Sequence, residues 1–333
     1  MQSSAIQVRL DDRARLLSAV LAATNYPDQA QGRKKHGTHL HARATRRHVS
    51  SYSTHPAASA LQSLLDQGIP LAALYGYVLR LSSPGLQAIE ETPRWVPAHW
   101  SDHLLDFQRV SELDSWWATA QENDHWQTAL NHLQEIFREV KLQDVLEPFV
   151  GSVKETLVFM PSLSYPTDQN VGVRVGNELI VLIPPPIAWG DSAPWSYKDD
   201  PALAFRAALT EYGAMLMNSY LSQHMETVSA LSDKSLSVGD HYRQAHPMWQ
   251  DQFLGLFTAS ITAMYLEQAI SKLEARSYIQ HMQRVEHLTV LPAAISVFQR
   301  YLNERSEGKY AEFIEFLPHV PKYLRVGKAL APA

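Results

Sequence analysis

The sequence predicts an α+β fold, mainly helical, and two features carry that prediction. Apolar residues recur every three or four positions over residues 99–145, 202–221, 249–266 and 291–302, the spacing of a buried helix face. Between these lies one stretch of extended texture, residues 156–183, with short apolar runs meeting at Gly176-Asn177. The texture changes near Phe149-Val150-Gly151, so residues 1–148 read as a helical N-terminal region and 149–333 as a second region, with one continuous domain as the alternative. At 333 residues either arrangement can bury an ample core.

Composition narrows the function classes. A net charge of -5 does not describe a generally nucleic-acid-binding surface. The chain has no Cys, which excludes disulfides, thiolate metal sites and cysteine nucleophiles. The start carries no basic segment followed by an apolar one, and no run reaches the roughly 18 apolar residues of a membrane span. A soluble cytoplasmic protein is the expectation.

Taken in order, residues 5–10 alternate as a short strand, and Asp11 or Asp12 caps a helix whose apolar face is Leu16, Leu17, Val20 and Leu21. Asn25-Tyr26-Pro27 stops it. Residues 29–65 contain no Asp or Glu, while Arg33, Lys34, Lys35, Arg43, Arg46 and Arg47 interleave with His36, His39, His41, His48 and His55. Such a segment is a solvated helix face or, through residues 33–48, a module binding a polyanion. His36 and His39 fall on adjoining turns, where neutral imidazoles would share a metal, yet no acidic ligand or general base stands nearby in sequence. A helix from Ala57 to Asp66 ends at Gly68; residues 71–81 fit strand or helix; residues 82–97 are a loop rich in Pro.

The helical run that follows carries Trp116, Trp117, Trp126, Leu133 and Phe137 at core spacing. Residues 156–160 and 172–183 are then strands, the latter a hairpin, closed by Pro184-Pro185-Pro186. Asp199 or Asp200 with Pro201 opens the next helix, residues 202–221, and the Trp249, Phe253, Phe257 and Ile261 stripe marks a second core helix packed against it.

At the centre of the 202–221 helix stands Thr210-Glu211-Tyr212-Gly213-Ala214, then Asn218. A zinc protease helix carries His at two positions four apart, with Glu after the first; here Glu211 is present and both His positions, Thr210 and Ala214, are empty. With the opening strand, Leu-rich helix and Tyr26-Pro27, the His55-Pro56 step, and Asn303, Arg305, Tyr310, Phe313, Phe316 and Pro318 near the end, the chain resembles a bacterial family of zincin-like metallopeptidases catalogued as a domain of unknown function. It looks like a divergent member lacking the motif histidines. The resemblance implies a zincin-like core with a small sheet or hairpin on the active-site helix, and a cleft lined by Thr210, Ala214 and Asn218. It also implies an edge strand at 178–183 where a peptide or protein partner would add, and Tyr310 as an oxyanion donor in intact relatives. The acidic third ligand that the family's second helix would bring is missing at Leu254-Gly255-Leu256-Phe257; Asp251 and Glu267 are the nearest acids.

Catalytic zinc needs three protein ligands and an open fourth position. Zinc is expected in intact relatives and not here, and no other cofactor is implied. Three readings stand: a catalytically silent metallopeptidase-like protein kept for binding or structure, with Glu211 vestigial; a hydrolase with a relocated site, Glu211 working with His224, His241 or His246; and a polyanion-binding module at residues 33–48.

Overall fold

The computed structural model describes residues 6–33, 38–186 and 196–330. The chain is mainly helical with one small mixed sheet. Its strands are β1 (Gln7–Val8), β2 (Thr156–Pro161), β3 (Val171–Val175) and β4 (Glu178–Ile183), in the order β1-β2-β4-β3. The described residues divide into two compact units, one within 5–140 and 155–204 and the other within 141–154 and 205–333. The division does not run at 148/149: the strands after that point belong with the N-terminal helices, and most of the 201–223 helix belongs to the other unit.

In the first unit, β2 lies parallel to both β1 and β4, pairing Gln7 with Val158 and Val158 with Ile180, while β3 and β4 form the expected hairpin across Gly176. Gly176 sits at φ +54°, a conformation that costs a residue without Cβ little. β4 is therefore an interior strand, not the edge expected at 178–183. The reason is in its residues: from Leu179 to Ile183 every side chain is buried, the continuous apolar run of a strand covered on both faces. The edges fall instead on β1 and β3. Helix Leu71–Leu79 packs on β3, which makes most of residues 71–81 helix, with Leu81 bridging to Ala88, and helix Ala120–Phe137 covers β1 and β2. Around them Leu16, Leu17, Leu74, Tyr75, Trp100 and Phe107 are at most 1% exposed, forming the core with the inner face of the sheet.

The second unit is a helical assembly. Helices Pro201–Gln223 and Trp249–Ala269 approach so closely that a Cβ on Gly213 would stand 3.1 Å from Ile261 Cδ1 and 3.3 Å from Thr258 Cγ2. The 201–223 helix starts as its sequence directs, with Asp200 Oδ1 accepting from the Leu203 N–H at 3.1 Å ahead of Pro201. Helix Leu142–Val150 contributes Phe149, which meets Phe257, Phe298, Tyr301 and Phe313 at ring separations of 5.3 to 5.9 Å. The expected turn at 239–241 is the start of a short helix, Asp240–Ala245. Among the described residues no helix is long and apolar enough to cross a membrane.

Candidate functional site

In helix Pro201–Gln223 the core face is Leu209, Tyr212, Leu216, Met217 and Tyr220, and the opposite face carries Thr210, Glu211, Ala214 and Asn218. The first three are half-buried; Asn218 is exposed and its Oδ1 accepts from Gln250 Nε2 at 2.6 Å. The family-type residues thus share one face, as their spacing requires. The histidines proposed to join Glu211 have aromatic neighbours: His224 lies 4.7 Å from the Tyr220 ring, His241 stacks on His287 at 4.8 Å, and His246 meets Tyr242 at 4.4 Å. Tyr310 packs against Phe316 and His319, with the Lys309 ammonium 5.2 Å over its ring. Asp251 and Glu267 are exposed. Among the described residues no three His, Asp or Glu side chains converge to hold a metal. Thr210 offers only a weak neutral oxygen and Ala214 no donor atom, so the residues at these two positions do not fit the zinc of an intact metallopeptidase.

The His-rich segment folds mainly as structure. His39 caps helix Leu40–Val49, its Nδ1 accepting from the Ala42 N–H at 3.1 Å, and His55 caps helix Pro56–Asp66 in the same way through Ala57. The second nitrogen of His55 reaches Asp106 at 3.1 Å, while His48 stacks on Trp116. Arg46 makes a two-pronged ion pair with Asp28. Lys34, Lys35 and His36 lie outside the described residues.

His41 is different. A cavity of about 810 Å³ opens beside helix Leu40–Val49, whose Leu40, Arg43, Ala44 and Arg47 line it at the i, i+3, i+4, i+7 spacing of one helix face. Helix Ala120–Phe137 forms the facing wall with Glu122, His125, Ala129 and His132, and Leu163, Pro185 and Tyr197 close the base. The Tyr197 hydroxyl donates to the Ile183 carbonyl at 2.9 Å and fixes that base to β4. Within the wall, His41 Nε2 stands 3.3 Å from Glu122 Oε2, and the two side chains are only 8% and 7% exposed.

Despite the short separation, the two atoms are misaligned, and neither has a hydrogen-bond partner. Burial first, then the neighbouring His125 and Arg15 charges, pushes the His41 pKa down to about 3. Burial raises Glu122 to about 7, against the opposing pull of Arg15 and the Trp126 indole. At neutral pH the imidazole is uncharged and the carboxyl is in mid-titration, so the contact is not an ion pair. Arg15 is itself held between Trp117 and Trp126, 4.3 and 4.7 Å from their rings, with Asp12 at 2.9 Å. Two buried polar atoms left without partners cost roughly 1–3 kcal/mol each. On the same wall Ser196 Oγ lies 3.2 Å from His132 Nδ1 and accepts the Lys198 N–H at 3.0 Å, which ties it to the turn that begins there.

Sequence reasoning singled out His41 only as one of five histidines and passed over Glu122. A signal for Glu122 exists. It stands on the stripe Trp126, Ala129, Leu133 and Phe137 extended one turn back, where an acid occupies a core position. Its partner, 81 positions away, has no counterpart in local spacing. No protein-family model, curated protein or solved structure matches the chain.

Proposed function

We propose that the unit of residues 5–140 and 155–204 carries a proton-transfer site for a small molecule, with Glu122 as the acid–base group and His41 as a neutral hydrogen-bonding group. One observation carries this reading: two polar side chains, each more than nine-tenths buried, meet without a hydrogen bond in the wall of a cavity of drug-molecule size. A carboxyl group that titrates near neutrality both gives and takes a proton readily at cellular pH. The uncharged His41 supplies a fixed polar contact without competing for that proton.

The test is site-specific titration of Glu122 by carbon-13 NMR together with a small-metabolite thermal-shift screen on the wild type and E122Q. A titration near pH 7, and stabilising compounds whose effect E122Q removes, are the expected results. Titration near the ordinary carboxylate value would end the reading.

A second reading concerns the other unit: a zincin-like metallopeptidase relative without catalytic metal, kept for binding or structure. It is supported by the donor set, since Thr210 and Ala214 stand where the family's histidines would be. Metal analysis of untagged protein tests it, and stoichiometric zinc or another transition metal would overturn it.

A further inference from the structure

Ten residues along helix Ala120–Phe137 from Glu122, about 15 Å, the wall of the same cavity holds a second pair of groups. We infer that Ser196 and His132 form a nucleophile–base dyad for acyl transfer, acting on an ester of a small apolar acid seated in the cavity beside helix Leu40–Val49. The inference shares that cavity with the proton-transfer reading and does not depend on the protonation of Glu122.

Ser196 Oγ lies 3.2 Å from His132 Nδ1; both residues line the cavity and both are half-buried, within reach of a ligand there. The Lys198 N–H donates to Ser196 Oγ at 3.0 Å and fixes the oxygen at the start of the turn Tyr197–Asp199. A hydroxyl has one proton and two lone pairs. One lone pair is taken by that N–H, and the proton is directed to His132 Nδ1 in the tautomer protonated on Nε2. The other lone pair is left for a carbonyl carbon. Burial first, then the Lys198 charge, holds the His132 imidazole below its ordinary pKa against the pull of Glu135 and Asp199. An imidazole so held is uncharged near neutrality and accepts a proton, as a general base must. The Lys198 ammonium is itself engaged by Glu135. Leu40, Ala44, Ala129, Leu163 and Pro185 give the cavity apolar walls for the acyl group.

In the first step Ser196 Oγ bonds to the acyl carbon as its proton passes to His132 Nδ1. The bond from that carbon to the alcohol oxygen breaks, and the alcohol leaves with the proton from His132. Water then attacks the acyl carbon and gives a proton to His132, which returns it to Ser196 Oγ as the acid is released. Ester and water become acid and alcohol, with no other reactant.

The full chain is treated with an alkyl fluorophosphonate, followed by intact mass and peptide mapping, and with p-nitrophenyl butyrate, followed by release of p-nitrophenol. A phosphonyl group on Ser196 and release of p-nitrophenol, as a burst or steadily, are expected. S196A should lose both, and so should S196N, which keeps an oxygen able to cap the turn but no nucleophile. That pair separates lost chemistry from a loosened turn. H132Q should slow both reactions by about a hundredfold or more at an unchanged unfolding midpoint, and E122Q should react like the wild type. No adduct, an adduct on another residue, no p-nitrophenol release above that of S196A, wild-type rates in H132Q, or labelling abolished by E122Q would each overturn the dyad. Such failures leave the titration of Glu122 untouched, and an ordinary Glu122 pKa leaves the labelling of Ser196 untouched.

Discussion

At the scale of single residues, Glu122 and His41 make the stability of their unit depend on pH in opposite senses. Glu122 has a folded pKa of about 7 against 4.5 for the free side chain, so it binds its proton more tightly when folded. Its contribution is complete below pH 4.5 and is lost as pH rises through 7. His41 has a folded pKa of about 3 against 6.5, so its contribution is complete above pH 6.5 and is lost as pH falls toward 3. Between 4.5 and 6.5 the two slopes oppose each other. In E122Q only the His41 slope remains. Urea unfolding at pH 5 and pH 8 should show E122Q gaining on the wild type by roughly 2–3 kcal/mol between the two conditions; a difference independent of pH would refute the raised Glu122 pKa. A second residue-scale prediction concerns Gly255. Alanine in a helix interior ordinarily gains about 1 kcal/mol over glycine. Here the added Cβ would fall on the buried Tyr242 hydroxyl, so G255A should lower stability, and the double variant with Y242F should recover part of the loss in denaturant titration.

At the scale of elements, the contact between helices Pro201–Gln223 and Trp249–Ala269 depends on a missing side chain. G213A asks Ile261 and Thr258 to yield by a few tenths of an ångström, while G213L forces a branched side chain into the same gap. The leucine variant should destabilise by about 1–3 kcal/mol or more, read as a shift of the unfolding midpoint, with the alanine variant much milder. The sheet offers a sharper comparison because β4 is hydrogen-bonded on both sides. Val181 pairs with Phe159 of β2 and Gly172 of β3, so V181P should cost about 3 kcal/mol or more and leave little folded protein by circular dichroism. Near-native stability for V181P would contradict the interior placement.

At the scale of the whole molecule, each unit has its own core: Leu17, Tyr75 and Trp100 in one, Phe149, Phe257 and Phe298 in the other. Each should therefore answer to its own mutations. Hydrogen exchange on F149A should show lost protection concentrated in residues 205–325, and on L17A in residues 6–140 and 155–186. Protection lost evenly along the chain in both variants would mean that the two cores unfold as one. The units also separate the two functional readings. Glu211 and its neighbours belong to one, and the His41–Glu122 cavity to the other, so variants at either site report on one reading alone.

Much of this protein was legible in its sequence because much of it is local. Helix faces repeat every three or four residues, Asp200-Pro201 starts a helix by capping chemistry, and Gly176-Asn177 turns a hairpin through the freedom of one glycine; the mainly helical α+β class follows from such terms. Strand order was not local. Whether residues 178–183 lie inside or at the edge of the sheet depends on where β2 docks, and the unbroken burial of Leu179–Ile183 shows only in the assembled sheet. The candidate site was still less visible. Composition marked residues 29–65 as free of acids, and the fold then brought an acid to His41 from 81 positions away, into a place where burial sets both protonation states. Desolvation depends on what surrounds a side chain in three dimensions, so tertiary structure alone decided which of these histidines faces a carboxyl group in a cavity and which merely cap helices.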